Sequence, residues 1–242
     1  MKKLNPKDVE EYVSKNIGTF HTARLESLAK LELRKVLLRK NPYLFKAKNI
    51  LTSEIFVKYL LDAHLSSQEE TIFGSFLENL AIFICGKVNN GTKSSAEGID
   101  LEFVKNKVKY IVAIKSGPNW GNSSQIARMK SNFKQAKRIL GTNTSRINIV
   151  AVNGCCYGRD RVPDKGDYLK YCGQAFWEFI SNDPNLYTDI IQPLGFKAKE
   201  KNEEFQEKYA ILINKFTSEF SAEFCPRGEI NWRKIVELNS KK

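Results

Sequence analysis

Apolar residues recur along this chain at two different periods, and the change of period marks out its elements. Between Ser67 and Val88, the residues Phe73, Phe76, Leu77, Leu80, Ala81 and Ile84 fall three or four apart, the spacing of one helix face. Over residues 97–115 the period drops to two. Ile99, Leu101 and Phe103 alternate with Asp100, Glu102 and Val104, and Val108, Tyr110, Val112 and Ile114 alternate with Lys109, Ile111, Ala113 and Lys115. That spacing predicts a β-hairpin turning at Lys105-Asn106-Lys107. The helical period then returns. Asn122 or Ser123 caps a helix running to about Leu140, with Ile126, Met129, Phe133, Ala136 and Ile139 as its stripe and Gly141 as its stop.

Arg146 to Val152 reads as a mostly buried strand, followed by a loop from Asn153 to about Asp167. Tyr168 to Ser181 reads as an aromatic helix stopped at Asn182-Asp183-Pro184, and residues 197–224 read as a long amphipathic helix. Upstream, residues 6–66 read as helices. Pro6 with Asp8, Glu10 and Glu11 suits a first turn, Leu25, Leu28, Leu31 and Leu33 form an apolar face, and Ser53 caps a third helix through Leu61. The expected organisation is an N-terminal helical region (1–66), an α/β core with a small central sheet (67–195) and a C-terminal helical extension (196–242), together one compact unit.

Composition narrows the class. Of 242 residues, 42% are hydrophobic and 11% aromatic, enough for a sizeable core and against general disorder. Five cysteines with no CxxC pair, and only His21 and His64, suit neither a disulfide framework nor a structural zinc site. The first residues resemble no signal peptide, and the apolar runs fall short of the ~20 residues that span a bilayer. A soluble, cytoplasmic protein with reduced thiols is expected. No GxxxxGK[ST] loop is present, so no nucleotide cofactor is expected, and two histidines give no persuasive Ser–His–Asp triad.

Charge changes the picture most. The chain has 39 Lys and Arg against 27 Asp and Glu, yet from Phe103 to Arg159 there is no acid and there are eleven Lys and Arg. Outside that segment the balance is 28 to 27, so the segment carries nearly all of the net charge of +12. A polyanion is the natural partner of such a stretch, and nucleic acid is the obvious polyanion. The polar run Ser116 to Gln125 sits where a helix N-terminus can bind phosphate. Candidate DNA contacts are therefore Ser116, Asn119, Trp120, Asn122, Ser123, Gln125, Arg128, Lys130, Lys134 and Lys137. Trp120 suits packing within its loop as well as stacking on a base. Asp160, Asp164 and Asp167 suit either a helix cap or a contact to bases.

Three groups carry candidate chemistry. Alternation puts Asp100 and Glu102 on one face of their strand, and Ala113 and Lys115 on one face of the next. Glu78 is the only charged residue between Thr71 and Gly86, and its helical neighbours Gly74, Ser75, Ala81, Ile82 and Cys85 are small or apolar. Burial there raises its pKa unless a cation is near. Phosphodiester hydrolysis needs carboxylates for a hard divalent ion and a cation near the attacking water, which these residues could supply. The plainer alternatives are a rim glutamate paired with a lysine, and an ordinary strand-end lysine.

The order of a Glu-bearing helix, a hairpin with Asp100 and Lys115, a basic helix and a strand resembles the PD-(D/E)xK nuclease superfamily, over roughly residues 67–152. Many type II restriction endonucleases belong to it. The resemblance implies a restriction-endonuclease-like αβα core with a small central mixed sheet. It also implies Mg2+-dependent, sequence-specific cleavage of double-stranded DNA by a homodimer, with Asp100 on the metal and Lys115 on the attacking water. Two positions depart from the family pattern. Ile99 stands where the name implies Pro, and Ala113 stands at the (D/E) position. Family members exist in which that carboxylate comes from elsewhere, including a helix; Glu78 is the first candidate to replace it and Glu102 the second. A non-catalytic nucleic-acid-binding protein on the same scaffold, and a repair or junction nuclease, are the competing readings.

Overall fold

The computed structural model describes residues 3–143 and 148–242, the side chains of residues 142 and 143 excepted. In chain order the elements are α1 (Pro6–Ala29), α2 (Leu33–Leu37), α3 (Pro42–Ala47), α4 (Ser53–Asn89), β1 (Thr92–Lys93), β2 (Leu101–Lys105), β3 (Val108–Lys115), α5 (Ser123–Asn143), β4 (Asn148–Cys155), β5 (Leu169–Cys172), α6 (Gln174–Ser181), α7 (Leu186–Asp189), α8 (Ile191–Leu194), α9 (Ala198–Phe224) and α10 (Trp232–Ser240). The chain divides into two compact units, neither continuous in sequence: a sheet unit of Met1–Ile17 and Phe73–Phe196, and a helical unit of Gly18–Ile72 and Lys197–Lys242.

The sheet unit is built on five strands in the order β1-β2-β3-β4-β5. The first three pair antiparallel, and β3, β4 and β5 pair parallel, which makes the sheet mixed. The hairpin from β2 to β3 turns on Asn106 and Lys107 with φ of 52° and 63°, the left-handed pair of a two-residue primed turn whose twist matches the strands. Parallel pairing of β3 and β4 needs a crossover, and α5 supplies it. Three of its five expected stripe residues, Met129, Phe133 and Ala136, bury against Ile99, Ile111, Ala113 and Ala151, whereas Ile126 is only partly buried and Ile139 is 50% exposed. Elsewhere in the unit, Phe103, Tyr110 and Tyr171 gather round Phe179, with ring centroids about 5 Å apart. The first part of α1 joins the second part of α4 through stacked Tyr12 and Phe83 at 4.2 Å and an Asp8–Lys87 ion pair at 3.4 Å.

The helical unit has an aromatic core. Phe56 stacks on Phe220 at 4.6 Å, and Phe216, Phe224, Leu60, Leu61 and Ile235 are buried with them. His21 and His64 are also buried in this unit.

Several elements differ from the sequence expectation, each for a local reason. Helices expected separately at 53–61 and 67–88 are one helix, α4, because residues 62–66 contain neither Gly nor Pro and Leu65 extends the buried face. By length and composition α4 could cross a membrane, with mean hydropathy 1.4 over its most apolar window; 39% of that window is buried within the protein, and Leu60, Leu80 and Ile84 are core residues. The strand expected at Arg146–Val152 is β4, displaced towards its C-terminal end; Arg146 and Ile147 lie outside the described residues. It continues through Asn153-Gly154, expected as a loop, because the Asn153 side chain bonds to the neighbouring strand. The aromatic helix expected from Tyr168 is strand β5 followed by α6. The break falls at Gly173, whose φ of 55° no β-branched or bulky residue adopts comfortably. Four elements went unexpected: the edge strand β1, only two exposed residues long, the four-residue helices α7 and α8, and α10, capped by the Asn231 side chain accepting from the Lys234 amide at 3.0 Å.

The turn generates a stability test. Lys107→Gly is expected to raise stability by about 1 kcal/mol in urea unfolding, because a side chain at positive φ is strained where glycine is not. A loss of stability would mean that the Lys107 side chain contributes more than its backbone strain costs.

Candidate active site

Asp100 is fixed at the mouth of the hairpin. Its amide donates to the Val112 carbonyl at 2.8 Å, and its carboxylate oxygen Oδ2 accepts from the Ile114 amide at 2.7 Å. The side chain thus takes a β3 amide that would otherwise wait for a longer β2, which holds the carboxylate rigid and leaves Oδ1 without a hydrogen bond among the described residues. Gly98, two residues upstream, has a φ of 71°; a Cβ there would lie 2.0 Å from the Asn132 amide nitrogen of α5, so the Gly-Ile-Asp run passes the helix only with glycine. Ile99, where the family name implies Pro, is buried against α5.

Glu78 reaches the same place from α4. Burial raises its pKa, the negative charge of Asp100 raises it further, and Lys93 and Lys115 pull it back down. The nearest of these cations, Lys93 of β1, lies 3.8 Å away and is largely exposed. The field of Glu78 also reaches Cys156 at the end of β4, whose thiol is pushed up to about 12, chiefly by burial. The structure therefore places Asp100 and Lys115 each within electrostatic reach of Glu78.

Glu102 is placed differently. It forms an ion pair with Lys109 at 2.8 Å and accepts a short hydrogen bond from the Ser94 hydroxyl. Burial pushes its pKa up, but these bonds outweigh burial and leave it below the usual carboxylate range. Glu102 is thereby committed to joining β1, β2 and β3.

Lys115 ends β3, and its ammonium lies 5.3 Å from the centroid of the Trp120 ring. The Trp120 indole N–H donates to Asn153 Oδ1 at 3.1 Å, and Asn153 Nδ2 donates to the Ala113 carbonyl at 3.2 Å. An indole N–H can only donate and a carbonyl can only accept, so the amide orientation of Asn153 is fixed. Asn153 stands beside Ala113 in the β3–β4 register and is 1% exposed. At Ala113 itself the space is taken by apolar packing on α5 and the carbonyl by this amide, so a replacing carboxylate has to come from another element. Sequence reasoning placed Asn153 in a loop and gave it no role. A buried Asn in an apolar strand was the available signal.

The expected DNA contacts fall into several environments. Asn122 and Gln125 form a reciprocal cap: the Asn122 carbonyl oxygen accepts from the Gln125 amide at 3.0 Å, and the Gln125 oxygen accepts from the Asn122 amide at 2.9 Å. Ser116 packs against Gly74 of α4. Asn119 and Ser123 are exposed. On α5, Arg128 pairs with Glu97 at 3.1 Å, Lys130 pairs with Asp167 at 3.1 Å, and Lys137 donates to the Asp167 carbonyl at 3.4 Å. Lys134 is exposed without an ion pair among the described residues. The helix face expected to be purely basic is mixed in space, because acids just outside the acid-free segment fold back on it. Such exposed pairs hold weakly, about 0–1 kcal/mol each.

A mixed five-stranded sheet flanked by helices, with an acid just before one strand, a lysine at the end of the next and a second acid on the flanking helix, is a restriction-endonuclease fold of the PD-(D/E)xK kind. The profile of the family described as "Type II restriction endonuclease EcoO109I" matches residues 7–202, and the chain belongs to that family. No curated protein matches the sequence.

Two outcomes follow from the site. A carboxyl whose pKa is higher in the folded chain keeps its proton longer when folded, so stability falls as pH rises through the ordinary carboxylate range and stays reduced above the raised folded value. In EDTA, Glu78→Gln is therefore expected to be more stable than wild type at neutral pH, with the difference vanishing near about pH 4. Denaturant midpoints across pH check this; a variant less stable at neutral pH would mean that Lys93 and Lys115 outweigh burial and Asp100. Separately, Asn153→Ala is expected to cost about 1–3 kcal/mol, since it leaves the indole N–H and the Ala113 carbonyl without their partner. Urea unfolding measures it.

Proposed function

We propose that this protein is a Mg2+-dependent, sequence-specific endonuclease that hydrolyses phosphodiester bonds of double-stranded DNA as a homodimer. Membership of a type II restriction endonuclease family supports the substrate. The observation that carries the chemistry is placement: Asp100 is bonded to the amide before Lys115, and half-buried Glu78 of α4 stands in the field of both, so that burial and the Asp100 charge raise its pKa. Two carboxylates that repel each other in a half-buried place are poised for a cation.

The donor set fits a hard ion. Glu78 and the Oδ1 of Asp100 offer only oxygen, which suits Mg2+, an ion that keeps several waters and takes one or two carboxylates. Among the described residues no three of His, Cys, Asp or Glu group closely enough to hold an ion by themselves, so water and phosphate oxygens would have to complete its shell. When bound, the ion polarises the scissile phosphate and makes water more acidic. Lys115, steadied over Trp120, orients the attacking water and offsets the charge that builds on phosphorus. The water oxygen bonds to phosphorus as the bond to the leaving ester oxygen breaks, and that oxygen collects a proton. A twofold dimer offers one such site to each strand. The described cysteines are all free, and four of the five are buried, which suits a reducing cytoplasm.

Plasmid DNA incubated with the protein and Mg2+ is expected to give discrete fragments. Lys115→Ala is expected to lower the rate by at least about a hundredfold while the variant still binds DNA. A smear contradicts sequence specificity. A second reading, binding without cleavage, is favoured by Ala113; intact plasmid in every divalent metal tried, with salt-sensitive binding preserved, would establish it instead.

A further inference from the structure

The cations on α5 that sequence reasoning placed against DNA are partly engaged by acids, whereas the loop after β4 carries cations that are not. Arg159 and Arg161 are exposed, and their side chains make no ion pair or hydrogen bond among the described residues. Tyr157 alternates with them along the chain and is 54% exposed. The one acid among them turns inward. Asp160 accepts from the Val162 amide and from Lys165, each at 3.0 Å, and lies 3.6 Å from Lys170. Burial alone would raise its pKa, but these partners together outweigh burial and hold its carboxyl below the usual range.

The loop is also fastened to the catalytic end of the sheet. The Cys156 amide donates to the Lys115 carbonyl at 2.9 Å, and the Tyr157 amide donates to the Ser116 carbonyl at 3.0 Å. The Tyr157 ring lies directly over Gly117; a Cβ on that glycine would be 2.3 Å from the ring. Lys170, one of the Asp160 partners, donates to the Pro118 carbonyl at 3.0 Å. The loops after β3 and β4 therefore form one braced block beside Lys115. An exposed aromatic and two exposed arginines project from it, with the intervening acid withdrawn.

We propose that residues 157–162 are a DNA-backbone contact: Arg159 and Arg161 each neutralise a phosphate of the duplex next to the cleaved step, and the Tyr157 ring packs against the adjoining sugar and base. This rests on the reading of the protein as a double-stranded DNA endonuclease. Arginine suits the role because its planar fork matches phosphate oxygens, and bracing Tyr157 beforehand reduces the ordering cost of contact.

The test is fluorescence anisotropy with the full chain and a labelled DNA duplex of arbitrary sequence, in EDTA, over a range of salt concentrations. Arg159→Ala/Arg161→Ala is expected to bind more weakly and to flatten the slope of log affinity against log salt by about 2, close to one unit for each phosphate no longer neutralised. Tyr157→Ala is expected to weaken binding with the slope unchanged, because a neutral ring releases no counterions. Lys30→Ala/Lys35→Ala removes the same charge from the helical unit and is expected to leave affinity and slope unchanged. Thermal melts confirm that each variant is folded. The proposal is overturned if the arginine pair leaves the slope intact, or if the control pair lowers it equally, since net charge alone would then explain the weaker binding. If wild type itself binds no duplex, the nuclease reading fails; if wild type binds and the loop variants bind equally well, only this inference fails.

Discussion

Like charges held close together in a half-dry place are costly, and the sheet unit holds two. Asp100 cannot swing away, because its Oδ2 is bonded to the Ile114 amide and the chain behind it is wedged past α5 at Gly98. Glu78 stands on a long helix packed into the core, and its nearest cation is an exposed lysine at 3.8 Å. The repulsion between them is answered only in part by the chain itself. A site left under-neutralised by its own residues gains most from a divalent ion. The raised pKa of Glu78 and the metal binding proposed for the pair thus rest on one cause.

The rest of the unit keeps that arrangement in register. Parallel pairing of β3 with β4 sets Ala113 beside Asn153 and Lys115 beside Cys155. The Asn153 amide then fixes the Trp120 indole, and the indole ring supports the Lys115 ammonium. The hairpin does the same for Asp100 by placing it against the end of β3. Glu102, only two residues after Asp100, is consumed by Lys109 and Ser94 in joining the sheet together. Two acids two residues apart therefore differ in what they can do, because one has its lone pairs filled and the other does not.

Much of this was legible in the sequence. Strand β2, α5 and α9 stood out because each has one buried face and hence one clear period, while β3, buried on both faces at its C-terminal half, stood out through the hairpin turn beside it. Glu78 stood out because nothing charged surrounds it along the helix. The continuity of α4 was missed because its buried stripe passes through a polar stretch around Asp62 and Ser66 that resembles a break, although nothing there stops a helix. Strand β5 was missed because four partly buried residues beside a helix carry no period of their own; only Gly173 marks the junction. The Asn153–Trp120–Lys115 chain joins residues far apart in sequence, which spacing cannot reveal. The acid-free segment was real as composition and misleading as a surface: Glu97 and Asp167 lie just beyond its ends and return to α5 through space.

The central claim is that Glu78, from a helix, supplies the carboxylate missing at Ala113. Mn2+ binding followed by electron paramagnetic resonance reads this directly in wild type, Glu78→Gln and Glu102→Gln. Glu78→Gln is expected to lose at least about tenfold in affinity and Glu102→Gln to bind like wild type, since only the first removes a carboxylate that feels the Asp100 charge and is not already paired within the sheet. Undiminished binding in Glu78→Gln, with the loss appearing in Glu102→Gln, would contradict it.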